Sequence, residues 1–326
     1  MPDSPAAIEV SPGVWLARLP LPFPVATINV FLIQLDRGYL LLDCGMRTRA
    51  CQEALAAALS LVGMEWTDIR QIVLSHLHPD HFGLAAEVKR RSGAPLAMHR
   101  VEADLVLPRW RDEDFLVRHT SWLAEHGVPA AESEQISQAS RGITEFIEPV
   151  EADQKLEDGD RIPVRGGVLE LIWSPGHSPG LLTLYLPQRK LYFSSDHMIE
   201  KITPNIGLHS HSAENPLADY LRSLERVHAL DIDLILSSHG QPFHGHHAWI
   251  AATQEHHRTR CQQMIEALAA APQTAYQLLA AVWGNHLSPL NQRFAVAETL
   301  AHMEYLRQQG RVAPRRAEGV VRWEKV

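Results

Sequence analysis

Cysteine is scarce in this chain: Cys44, Cys51 and Cys261 are the three in 326 residues. So sparse and odd a set argues against a disulfide framework and suits a reducing interior. No apolar run reaches the roughly 20 residues needed to cross a bilayer. The opening Met1-Pro2-Asp3-Ser4-Pro5 lacks the basic-then-apolar pattern of a secretory signal. These absences predict a cytoplasmic protein with no membrane partner. Positive charge is not in excess either: 30 basic residues against 38 acidic give −8, which disfavours nucleic acid as a partner. No convincing Gly-x-Ser-x-Gly nucleophile elbow stands out, and neither repeats nor low-complexity segments are seen.

What is present is histidine, 19 of them, and their placement is uneven. Four metal-binding side chains fall within six residues, His76-Leu77-His78-Pro79-Asp80-His81, directly after an apolar run at 69–74 and Ser75. In an extended segment alternate side chains share a face, so His76 and His78 can point at one cation. Asp80 and His81, where the chain turns towards a helix, can face a second. Imidazole and carboxylate suit zinc or a similar borderline divalent ion. Three later apolar runs each lead to another such residue: 168–173 to His177, 190–195 to Asp196 and 234–238 to His239. Each reads as a short strand delivering a polar residue to a loop at its end.

Together these residues resemble the signature of the metallo-β-lactamase-fold hydrolase superfamily, His-x-His-x-Asp-His followed by a distant His, Asp and His. The resemblance covers roughly the first 245 residues. It implies two divalent ions, zinc by default with iron or manganese as alternatives. His76, His78 and His177 would hold the first, Asp80, His81 and His239 the second, and Asp196 would bridge them. Asp80 is also the residue on which catalysis is expected to depend. Asp43, ending a second apolar run, matches the family's ligand-orienting aspartate. One departure is that Leu84 replaces the second of the two glycines that often follow the motif, which puts helix packing in question.

The expected fold class is α/β, an αββα four-layer sandwich, with strands at 14–19, 28–35, 39–42, 161–164, 169–173, 182–186, 191–193 and 233–236. Residues 1–245 form the catalytic domain. Within it, 100–148 read as a helical insertion at the active-site mouth, placed where the second half of the sandwich would begin. Phe115, His119, Trp122 and Leu123 share one helical face there, which fits either packing on the main domain or a substrate wall. Residues 246–326 read as a helical, winged-helix-like domain. Its arginines make that end locally basic, and a solvated or dimer-contacting tail is favoured over a nucleic-acid reader. The resemblance implies that the proline-rich loop at 20–24 overhangs the metals, with Phe23 either its apolar tip or part of a simple packed turn. His209 and His211, on a loop after Asp196, are candidate substrate contacts or proton donors.

Two ions about 3.5–4 Å apart supply hydroxide near neutral pH and polarise a substrate oxygen. The leading expectation is therefore hydrolysis of a small ester, thioester or lactone. Two alternatives are phosphodiester hydrolysis of single-stranded RNA and a mononuclear iron persulfide oxygenase. Di-iron oxygen reduction fits poorly, because those proteins carry Glu where His78 stands.

Overall fold

A computed structural model describes residues 6–209, 212–284 and 287–326. Among the described residues, seven strands form the first sheet in chain order: β1 (Ala7–Ser11), β2 (Val14–Pro20), β3 (Thr27–Gln34), β4 (Tyr39–Leu42), β5 (Ile69–Leu74), β6 (Leu96–His99) and β7 (Gln154–Leu156). The pairs from β1 to β4 are antiparallel, and those from β4 to β7 are parallel. β3 carries Ile28, Val30, Leu32 on one face and Phe31 and Ile33 on the other, all buried. Such a strand needs an apolar layer on both sides.

One layer is the second sheet, ordered β12-β11-β10-β9-β8, with β8 (Arg161–Val164), β9 (Gly167–Trp173), β10 (Leu182–Leu186), β11 (Leu191–Ser195) and β12 (Leu234–Ser237). Phe31 meets Phe193 edge-on across the gap, their ring centroids 5.3 Å apart. The other layer is α1 (Arg49–Leu61) and α3 (Ala85–Ser92), which cover the outer face of the first sheet. Thr48 caps α1 by accepting from the Cys51 N–H. α7 (Pro216–His228) links the parallel pair β11 and β12 and covers the second sheet. The four-layer sandwich is the expected one. The three cysteines are free and buried.

The helical insertion occupies the expected stretch, and after it the chain returns to the first sheet before starting the second. α4 (Arg100–Trp110), α5 (Phe115–Glu125) and α6 (Ala130–Gly142) lie between β6 and β7, which are both strands of the first sheet. Three-residue β7 is too short to carry a readable alternation.

The C-terminal region contains α8 (His246–Ala267), α9 (Ala275–Trp283), α10 (Pro289–Gln308) and the hairpin of β13 (Val312–Ala317) with β14 (Val320–Lys325). Of the expected solvated or dimer-contacting tail, the solvated form does not hold, because the region packs against the insertion. Leu278, Leu300, Met303 and Trp323 share one buried cluster with Leu123, Val128 and Ile136 of the insertion. Burial of this apolar surface, at roughly 25 cal/mol per Å2, favours a fixed roof over a wet appendage. No helix among the described residues is long and apolar enough to cross a membrane.

Candidate metal centre

The ligand-type side chains all sit on loops at strand ends. β5 runs into Ser75 and the six-residue motif, whose last part forms the single turn α2 (Pro79–Phe82) with proline at its first position. Gly83 then has no room for a side chain: an added Cβ would lie 2.4 Å from the Arg47 nitrogen and 2.5 Å from the Pro79 oxygen. The position after it tolerates Leu84, whose side chain is buried in the core beside α3. The departure in sequence therefore fills space that the core has available.

The seven side chains converge. The Nδ1 of His78 lies 2.9 Å from both His76 Nε2 and His177 Nε2. His239 Nε2 is 3.3 Å from Asp80 Oδ2, and His81 Nε2 is 3.8 Å from the same oxygen. Asp196 stands between the two groups, with Oδ2 3.4 Å from His177 Nε2 and Oδ1 3.5 Å from both His81 and His239 Nε2. Three overlapping triads, His76/His78/His177, His76/His81/Asp196 and Asp80/His81/His239, bring their ligand atoms within 4.8 Å of one another.

Whether this set fits cations can be read from what its atoms lack. His81 Nε2 and Asp196 Oδ1 are buried without a hydrogen-bond partner, an arrangement that costs stability unless something else satisfies them. The other ring nitrogens are already committed. His81 Nδ1 donates to Asp43 Oδ2 at 2.8 Å, His177 Nδ1 to the Asn205 carbonyl at 2.9 Å and His239 Nδ1 to the Thr27 carbonyl at 2.9 Å. Each such bond leaves Nε2 as the ring nitrogen facing the centre. Ser75 donates its hydroxyl to Asp43 and lies 3.1 Å from His76 Nδ1. Asp43 adopts φ 62° and Ser195 φ 49°, strained conformations for residues with a Cβ, held because their side chains support this cluster.

Electrostatics agree with that reading. Burial pushes the imidazoles of His76 and His78 well below their ordinary pKa, with neighbouring histidines adding to it, so both are neutral and able to ligate. Burial also opposes the charged form of His239, yet Asp196 and Asp80 lift it to about 10. His239 and His81 in turn hold the Asp196 carboxyl well below the usual range despite burial. The carboxylates thus demand positive charge, and the neutral histidines offer lone pairs. Bound metal cations would answer both.

A cavity of about 850 Å3 opens over the cluster. Its apolar lining includes Phe23, Met46, Phe115, Trp122, Ile199 and Phe294. Phe23 packs edge-on against Phe146 at 6.2 Å. Trp122 lies 6.3 Å from His209, ring to ring, and both face the cavity. Of the helical face marked in sequence, Phe115, His119 and Trp122 line the cavity whereas Leu123 turns into the core. His211 lies outside the described residues. His197, beside Asp196 in sequence, points away and bonds to Tyr192 and Ser223.

Sequence reasoning missed Glu102. This carboxylate on α4 is fully buried and accepts from the Leu77 N–H at 3.0 Å, the Gly180 N–H at 2.7 Å and the Ser178 hydroxyl. It ties together the loops that carry His76, His78 and His177. A glutamate on a helix of mixed polarity carries no signal that separates it from a solvated one. Ser178 belongs to Gly176-His177-Ser178-Pro179-Gly180, which spells a nucleophile elbow in letters. Its hydroxyl is committed to Glu102 and is 2% exposed, so it is no nucleophile.

Fold and site together place a cluster of metal-ligating side chains on an αββα sandwich. The chain belongs to the metallo-beta-lactamase superfamily, whose family description matches residues 24–239. A second description, the metallo-beta-lactamase-like C-terminal domain, matches residues 261–326. The chain is similar to a Bacillus subtilis (strain 168) protein named "Probable metallo-hydrolase YqjP", 27% identical over 302 residues, covering 89% of this chain and 90% of that one. It also resembles the acyl-coenzyme A thioesterase MBLAC2 of Gallus gallus, 26% identical over 170 residues, 52% of this chain and 56% of the relative. Among solved structures, a metallo-beta-lactamase family protein from Thermus thermophilus superposes with a TM-score of 0.86 at 30% identity, covering 98% of this chain and all of the other. A beta-lactamase domain protein from Burkholderia ambifaria gives 0.88 at 26% identity, covering 100% and 96%.

Proposed function

We propose that this protein is a dinuclear metal-dependent hydrolase of a small ester, thioester or lactone. In this reading His76, His78 and His177 hold one ion, Asp80, His81 and His239 the other, and Asp196 lies between them. The observation that carries it is the convergence of seven ligand-type side chains, two of them with buried unsatisfied atoms, at the floor of a largely apolar cavity. A pair of divalent ions, zinc by default, would supply hydroxide at neutral pH and polarise the reacting carbonyl.

The chain's own residues do the rest. Asp43 and Ser75 fix the ring orientation of His81 and His76. Phe23, Trp122 and Phe115 offer an apolar surface for an acyl or alkyl body and exclude water around it. His209, which lines the cavity beside Trp122, would be the imidazole that gives a proton to the leaving group. The thioesterase name of one relative supports the thioester within the class. Three arginines of the C-terminal region are neutralised within the chain, Arg307 by Glu304, Arg315 by Glu324 and Arg316 by Glu125, which weakens the case for RNA.

The test is turnover by zinc-replete protein against acyl thioesters, lactones and aryl esters, with metal content measured on the same sample. Two metal equivalents with turnover of at least one class, lost in Asp80→Asn, is the expected result. An inactive protein that holds its metals removes the reading.

A further inference from the structure

The cavity contains a second chemical feature that metal ligation does not use. Arg109, on α4 of the insertion, and Arg293, on α10 of the C-terminal region, both line it together with His78 and Asp80. Among the described residues, neither guanidinium has a side-chain hydrogen bond or ion pair. Arg293 Nε is buried with no partner at all. Arg109 lies over the Trp110 ring at 5.0 Å and Arg293 over Phe294 at 5.5 Å, so each is braced by an aromatic face but not neutralised.

Of the other wall arginines, Arg118 pairs with Asp112 and Asp114, and Arg111 and Arg141 are exposed to solvent. The carboxylate that Arg109 feels is Glu102, and that group is already committed to Leu77, Ser178 and Gly180. Burial lowers the basicity of Arg293 to about 10, and the charge of Arg109 lowers it further. The same cavity thus holds two partly buried guanidinium groups, and guanidinium stays protonated at neutral pH. Unpaired buried charges are costly, and folding alone gives no reason to keep two together.

A third group completes the set. Thr120 donates its hydroxyl to Ser137 Oγ at 3.0 Å, so Ser137 donates in turn to His119 Nδ1 at 2.9 Å. That assignment places the proton of His119 on Nε2, which is buried without a partner. Burial, then the nearby Arg293, lowers this histidine to about 4, leaving it a neutral donor.

We propose that Arg109, Arg293 and the Nε2–H of His119 form an oxyanion-binding subsite, so that the substrate carries a carboxylate or phosphate group at a distance from its reacting carbonyl. Planar guanidinium forks match both anions. The subsite rests on the hydrolase reading only for what the bound molecule then undergoes, since anion capture needs no turnover.

The experiment titrates inorganic phosphate and, separately, glutarate into metal-replete protein by calorimetry. It compares the native chain with Arg293→Gln, Arg109→Gln and, as an exposed control, Arg315→Gln. Charge-assisted hydrogen bonds of the usual strength predict that either cavity variant weakens the preferred anion about tenfold or more, while the control leaves it unchanged. Loss confined to glutarate assigns a carboxylate-bearing substrate, and loss confined to phosphate a phosphorylated one. Anion that binds at the metals is unaffected by these variants and so cancels in the comparison. If Arg293→Gln does not fold, Arg109→Gln serves alone. Melting temperature adds a second readout: in anion-free buffer Arg293→Met should melt above the native chain, and the preferred anion should raise the native chain alone. Equal affinities across all four proteins overturn the subsite. Because thioester turnover is not read, an inactive protein with a positive titration removes the hydrolase reading alone, and an active one with a flat titration removes the subsite alone.

Discussion

Glu102 accepts the backbone N–H of Gly180 at 2.7 Å, so a helix of the insertion anchors the loop that delivers His177. Its other oxygen accepts from Leu77, between His76 and His78. Glu102→Gln keeps the size but turns one acceptor into a donor facing an N–H. The expected outcome is a loss of about 1–3 kcal/mol in stability and a drop in metal affinity of roughly 10–100-fold, as is usual for groups that hold ligands in place. Chelator competition and chemical denaturation read the two effects separately. Unchanged metal affinity would show that the loops need no such tie.

Metal removal should destabilise the whole sandwich. With no cation present, His81 Nε2 and Asp196 Oδ1 are buried and unsatisfied. Metal that binds only the folded state stabilises it by about 2.7 kcal/mol at a hundredfold excess over its dissociation constant. Calorimetry with and without a chelator should show a lower melting temperature that added zinc restores.

Acid should loosen the junction between α8 and α10. His302 Nδ1 donates to the Glu298 carbonyl, so its Nε2 accepts from His257 Nδ1 at 3.1 Å. Burial and mutual repulsion lower His257 to about 2, and burial lowers His302 to about 4, from an ordinary 6.5. Both folded values lie below the unfolded one, so the unfolded chain takes up protons first. Stability from this pair is intact above pH 6.5 and falls as pH drops towards the folded values, by up to about 1.4 kcal/mol per pH unit for each histidine. Urea denaturation between pH 7 and 5 should show this slope, and His257→Gln should roughly halve the part due to the pair. A slope identical in the variant would assign the acid sensitivity elsewhere.

Trp122 should control chain-length preference. Its indole lines the cavity beside His209, while its neighbour Leu123 belongs to the core. Trp122→Ala should raise KM for medium-chain acyl substrates about tenfold or more, from apolar contact worth roughly 25 cal/mol per Å2, with a smaller effect on kcat. Equal losses for acetyl and octanoyl substrates would indicate a general distortion instead.

Much of the centre was legible in sequence because its chemistry is dense and its delivery is local. His76 to His81 occupy consecutive loop positions, and His177, Asp196 and His239 each follow a strand of apolar residues. Glu102, Arg109 and Arg293 were not legible, since charged residues on helices read as solvent-facing until the partner elements are placed. β1 and β7 were missed for another reason. β1 mixes Ile8, exposed at 37%, with a register shift at Glu9 and Ser11, and β7 has three residues. The return to the first sheet after the insertion was missed because β7 is hidden in a polar stretch. The C-terminal region was misjudged as wet because its arginines are conspicuous in sequence and its cluster around Met303 and Trp323 is not.

The shared core of Leu123, Ile136, Leu300 and Met303 has an engineering consequence. The ceiling over the cavity is assembled from two stretches of chain separated by more than a hundred residues, which interlock like two halves of a vault. Grafting either stretch alone from a homologue would leave mismatched keystones, whereas transplanting both together should carry a new ligand preference onto an unchanged foundation.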